Sequence, residues 1–101
     1  MTAPFVPIHI SDRALHEIRH IRDHKNIPAD YALRVGVRGG GGCGGFQYLI
    51  GFDHAKESDQ TYHFGDLRVL IEKRHVMYLV DTQIDFEDGQ EARGFTFQKG
   101  A

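Results

Sequence analysis

Two runs of alternating residues flank a tract of glycines, and they constrain the fold more than any other feature of this chain. Tyr31, Leu33, Val35 and Val37 alternate with Ala32, Arg34, Gly36 and Arg38. Phe46, Tyr48, Ile50 and Phe52 then alternate with Gln47, Leu49 and Gly51. A period of two sends successive side chains to opposite faces, so both runs read as half-buried strands. Between them lies Gly39-Gly40-Gly41-Gly42-Cys43-Gly44-Gly45, which is expected to fold the second strand back on the first. The tract holds six of the 12 glycines and the single cysteine.

The rest of the pattern is also mostly strand. Thr61 to Phe64 and Leu67 to Glu72 flank Gly65-Asp66, a dipeptide suited to a two-residue hairpin turn. Ile84-Asp85-Phe86 and Phe95-Thr96-Phe97 read as short strands on either side of the turn Asp88-Gly89. Lys73 to Val80 fits either a short helix or a bent strand. One helix precedes all of this. Ser11 is placed as its N-cap, Asp12 follows in the first turn, and Ala14, Leu15, Ile18 and Ile21 recur at helical spacing up to about Lys25. Asn26-Ile27-Pro28 ends it. The expectation is a single, mainly β domain over residues 1–101 with an N-terminal helix. Its core would be formed by Leu33, Val35, Val37, Phe46, Tyr48, Ile50, Phe52, Val69, Ile71, Phe95 and Phe97.

Composition narrows the function classes. With 101 residues, 41% hydrophobic and 26% charged, the chain has the make-up of one soluble globular domain. A formal net charge of -2 gives no electrostatic reason to expect nucleic acid as a partner. No apolar run approaches the roughly 20 residues that span a bilayer, and the first residues lack the basic start of a signal peptide. One cysteine permits no internal disulfide, which suits a reducing compartment and places the protein in the cytoplasm.

Several short motifs invite stronger readings than they support. His16-Glu17-Ile18-Arg19-His20 matches the helical zinc-protease pattern H-E-x-x-H. At about 100° per residue, however, Ala14, Ile18 and Ile21 share one side of the helix, while His16, His20 and His24 fall nearly opposite. The motif therefore reads as a solvated, histidine-rich face. Gly40 to Gly45 fits G-x-G-x-x-G literally, but a strand follows where the dinucleotide fingerprint needs a helix. Phe46 also stands where a P-loop needs lysine. Asp85, Glu87, Asp88 and Gly89 resemble part of a calcium loop, yet Ile84 falls where the first carboxylate belongs. They read as exposed turn charges.

Cys43 is the residue that most invites chemistry. Its glycine neighbours let a bulky ligand approach the main chain, and successive amides favour the thiolate that metals bind. Two alternatives stand beside metal binding on the residues alone: an inert loop thiol, and a redox-responsive thiol that pairs between chains on oxidation. No base, acid pair or substrate pocket can be assigned, so enzymatic turnover is not expected. Arg34 and Arg38 read as exposed or paired at an interface.

Longer stretches carry a family resemblance. "LRVGVRGGGGCGGFQYLIGFD" (33–53) resembles the signature of the HesB/IscA-like, A-type iron–sulfur cluster assembly proteins. "GDLRVLIEKRHVMYLVDTQIDF" (65–86), "ARGFTF" (92–97) and "ISDRAL" (10–15) are similar to further family segments, in the same order. The resemblance implies a mainly β (α+β) fold, a compact β-sandwich or pseudobarrel of short mixed strands with one N-terminal helix. It implies a carrier or iron-binding accessory in iron–sulfur cluster biosynthesis, working as a homodimer or higher oligomer with assembly and recipient proteins. Of the family's cluster ligands, the loop cysteine carries over as Cys43, the metal- and cofactor-binding residue. The family's C-terminal Cys-Gly-Cys has no counterpart here, since Gln98-Lys99-Gly100-Ala101 follows the Gly-Phe-x-Phe strand. The implied cofactor is iron or a labile iron–sulfur cluster shared across a dimer. The alternative within the family is a degenerate member acting as an interaction module or thiol redox switch.

Overall fold

The computed structural model describes residues 5–39 and 45–100, so Cys43 lies outside the described residues. The elements run β1 (Ile8–Ile10), α1 (Asp12–His24), β2 (Ala32–Gly39), β3 (Phe46–Asp53), β4 (Asp59–Phe64), β5 (Leu67–Glu72), a single 3-10 turn (Lys73–His75), α2 (Val76–Leu79), β6 (Thr82–Asp88) and β7 (Arg93–Lys99). The protein is mainly β with mixed sheets, as the pattern and the resemblance imply. Two compact units are present, residues 1–25 with 79–101 and residues 26–78.

The first unit holds a three-stranded sheet in the order β1-β6-β7. β1 runs parallel to β6, with Ile8 opposite Thr82 and Ile10 opposite Ile84. Three residues are too few to show a period, and the sequence reading contains no strand there. Ser11 caps α1 from an extended backbone, its hydroxyl accepting from the Ala14 N–H at 3.1 Å. The same hydroxyl donates to Asp85 Oδ1 at 2.6 Å, and the Ser11 N–H donates to the Ile84 carbonyl at 2.9 Å. One serine thus starts the helix and ties it to β6. Lys25 closes the helix, and Asn26 turns the chain away at φ 55, a left-handed position that asparagine tolerates. Ala14 and Ile18 are buried, as are Ile8, Ile84 and Phe86, while His16, His20 and His24 are exposed. The two sides of the helical wheel are thus as expected, although Ile21 reaches only half-burial.

Phe86 meets Phe95 edge to face at 5.0 Å, and the Arg93 guanidinium lies 5.1 Å from the Phe86 ring centre. Phe95 and Phe97 are only half-buried, contrary to the expected core. β7 is the outer strand of its sheet, with β6 as its one neighbour there.

The second unit is a four-stranded sheet ordered β3-β2-β5-β4. β3 folds back antiparallel on β2 along its whole length, from Ala32 opposite Asp53 to Gly39 opposite Phe46. β2 pairs in parallel with β5 over only two positions, Leu33 with Val69 and Arg34 with Leu70. β4 and β5 form the expected hairpin, with Gly65 at φ 65, where a side chain would be strained. Leu33, Val35, Val37, Val69 and Ile71 are buried as expected, and Ala32, Leu67 and Leu70 join them. Phe46, Tyr48, Ile50 and Phe52 lie on the more buried face of β3 but reach only half-burial. β3 is an outer strand, so its inner face is covered less completely than that of β2 beside it.

Candidate functional site at the stem of the glycine loop

The backbone at both ends of the loop requires glycine. Gly39 at φ 85 ends β2 and Gly45 at φ 65 precedes β3, both in the left-handed region. Beside this stem, Val37, Arg38 and Gly39 of β2, Leu49 of β3, and Arg74, His75 and Tyr78 line an open depression of about 550 Å³. Tyr78 is tied to β3 by an edge-to-face contact with Phe46 at 5.5 Å, and Phe46 meets Tyr48 in the same way at 5.2 Å.

The wall of the depression depends on an absent side chain. A Cβ added at Gly36 would lie 2.9 Å from Nδ1 of His75, so the imidazole occupies the room that glycine leaves. The Val37 N–H points at that Nδ1 in a long hydrogen bond of 3.5 Å. On the other side, Nε2 lies 3.6 Å from Glu72 Oε2. A nitrogen facing an N–H donor must be the acceptor, which assigns the ring proton to Nε2, toward the carboxylate. His75 is therefore a structural bridge from the 3-10 turn to β2. Sequence reasoning missed it. The usable signal was Gly36, which breaks an otherwise well-filled strand three residues before the loop.

A second polar cluster holds the opposite end of β2. Arg34 grips Asp59 with both terminal nitrogens at 2.7 Å, gives Nε to Asp53 at 3.0 Å, and reaches the His54 carbonyl at 2.8 Å. The Asp59 side chain is 1% exposed. Its carboxyl is held below the ordinary range, first by the Arg34 hydrogen bonds and then by the Lys56 N–H, against the opposing effect of burial. Asp53 is also lowered, first by the His54 N–H and then by Arg34. Arg34 itself is pushed upward, chiefly by Asp59, and stays charged. The expectation of an exposed or interface arginine needs correction for Arg34, which is half-buried and clamps β2, β3 and β4 within its own unit. Arg38 is exposed, and among the described residues it forms no ion pair.

The remaining candidates separate cleanly. His20 and His24 stack at 4.0 Å on the exposed helix face. Glu17 turns toward Arg93 at 3.5 Å. Among the described residues no three histidine, cysteine, aspartate or glutamate side chains gather as a metal site. Asp88 pairs with Arg93 at 3.1 Å, consistent with a turn charge. Asp85 is half-buried rather than exposed, lowered first by the Ser11 hydroxyl and then by the Phe86 N–H. No helix among the described residues is long and apolar enough to cross a membrane.

Comparison with known proteins now adds to the geometry. The family model for iron–sulphur cluster biosynthesis matches residues 6–101. The iron–sulfur cluster insertion protein ErpA of Marinobacter nauticus is 36% identical over 93 residues, covering 91% of this chain and 83% of that protein. ErpA of Saccharophagus degradans is 36% identical over 100 residues, covering 94% and 84%. The fold is similar to that of Escherichia coli SufA, with a TM-score of 0.76 at 19% identity over 96% of this chain and 85% of that one. The crystal structure of IscA with a [2Fe-2S] cluster gives 0.72 at 18% identity over 91% and 84%. With the match spanning both units and the whole strand order, this chain is a member of the HesB/IscA-like iron–sulphur cluster biosynthesis family.

Proposed function

We propose that this protein carries iron or a labile iron–sulfur cluster and hands it to recipient proteins, with Cys43 as the ligand. In this reading residues 1–101 act as one HesB/IscA-like domain in the cytoplasm, without catalytic turnover. The observation that supports it most directly is the placement of the chain's single thiol in a glycine loop whose two strands pair in register up to the loop's base. Relatives named as cluster insertion proteins, and a similar fold crystallised with a [2Fe-2S] cluster, favour the same chemistry. Cluster iron is ordinarily held by four thiolates. Two copies of Cys43 in a homodimer supply two of them.

Anaerobic reconstitution tests the proposal. Native protein is expected to take up iron and acid-labile sulfide with a visible absorption band and to sediment as a dimer. Cys43→Ser is expected to lose most of both. Equal iron and sulfide in the two proteins would remove Cys43 from the site.

A further inference from the structure

The depression beside the loop stem is basic and apolar at once. Leu49 and Tyr78, which line it, are 38% and 46% exposed, and Met77, next to Tyr78 in the chain, is 85% exposed. Large apolar side chains left open together mark a surface that a partner covers. Two arginines, Arg38 and Arg74, line the same depression. Arg38 has no ion-pair partner among the described residues, and Arg74, with its side chain 77% exposed, gives only Nε to Glu72 at 3.1 Å. Glu72 is also engaged by His75 at 3.6 Å, so it leaves the outward guanidinium donors unanswered. Planar arginine donors of this kind match carboxylates in paired hydrogen bonds.

We propose that this depression docks an acidic segment of a partner protein, its carboxylates meeting Arg38 and Arg74 and an apolar anchor resting on Leu49 and Tyr78. The proposal rests on the carrier reading above, because cargo crosses between proteins at a contact and Gly39, at the base of the loop, is part of this wall. Charge argues against a second copy as occupant. A twofold contact sets the same patch against itself, bringing four guanidinium groups together. A free small anion answers the arginines but leaves the apolar floor uncovered.

The test uses metal-free, isotope-labelled protein titrated with the synthetic peptide acetyl-Glu-Asp-Leu-Phe-Glu-Asp-amide and followed by amide chemical shifts. Saturable shifts at Arg38, Leu49, Arg74 and Tyr78 are expected, with binding weakened as salt rises from about 50 to about 300 mM. The double reversal Arg38→Glu/Arg74→Glu, at exposed positions, should weaken it about tenfold. Three results would overturn the proposal. One is equal binding of the same peptide with amides in place of its acids. Another is inorganic phosphate reproducing the shifts at the same concentration. The last is dimerisation that blocks the peptide and disappears in Leu49→Glu, which would make a second copy the occupant. No iron is present in the titration, so this proposal and the cargo assignment can fail independently.

Discussion

Arg34 shows how one side chain can fix where three strands meet. Its fork geometry satisfies both oxygens of Asp59 while Nε holds Asp53, so a carboxylate that is almost wholly buried keeps its charge. Removing the guanidinium leaves that charge without compensation. Arg34→Ala is expected to lower stability by about 1–3 kcal/mol, and Arg34→Lys should recover only part of it, because an ammonium cannot bridge both aspartates as a planar fork does. Urea unfolding measures both, and an alanine variant as stable as the native protein would refute the clamp. Little of this was legible beforehand. Alternation correctly put Arg34 on the face opposite Leu33 and Val35, but its partners come from positions 53 and 59, and no local pattern reveals which carboxylates a distant strand delivers.

At the scale of elements, the strands around the loop were legible because each exceeds five residues and shows its period. β1, with three residues, was not, and the pairing of β2 with β5 was also hidden, since it depends on strand order rather than local sequence. The 3-10 turn joins β2 through His75, which fills the space over Gly36. Gly36→Ala is expected to displace the imidazole and cost about 1–3 kcal/mol. If the clash is the cause, the same substitution in a His75→Ala background should cost less than half as much, and the double-mutant cycle should show coupling. Purely additive losses would mean that Gly36 is required for its backbone alone. The candidate site was half legible in the same sense. Cys43 and the glycines announce themselves, whereas Arg74, His75 and Tyr78 reach the stem only through a turn whose helical or strand character the sequence left open.

For the molecule as a whole, both units carry carboxylates held below their ordinary range: Asp53 and Asp59 in one, Asp85 in the other. In the unfolded chain these groups take up protons at higher pH than in the folded one, so unfolding is favoured by acid. Their contribution is complete above the ordinary carboxylate pKa, about 4, and fades as pH falls through the lowered folded values. The urea midpoint should therefore drop steeply below about pH 4. Ser11→Ala should lose about 1 kcal/mol of capping at neutral pH and show a shallower acid dependence, since Asp85 loses its largest stabilising hydrogen bond. An unchanged acid slope would mean that Asp85 gains nothing from the serine. The brevity of the β2–β5 pairing has a mechanical meaning as well. After Arg34 no β2–β5 pair follows, and on that side of the strand His75 makes the bridge instead, reaching Val37 and filling the space over Gly36. A recipient pressing on the stem would meet, on that flank, side-chain packing by His75, Val35 and Val37 in place of a ladder of main-chain hydrogen bonds.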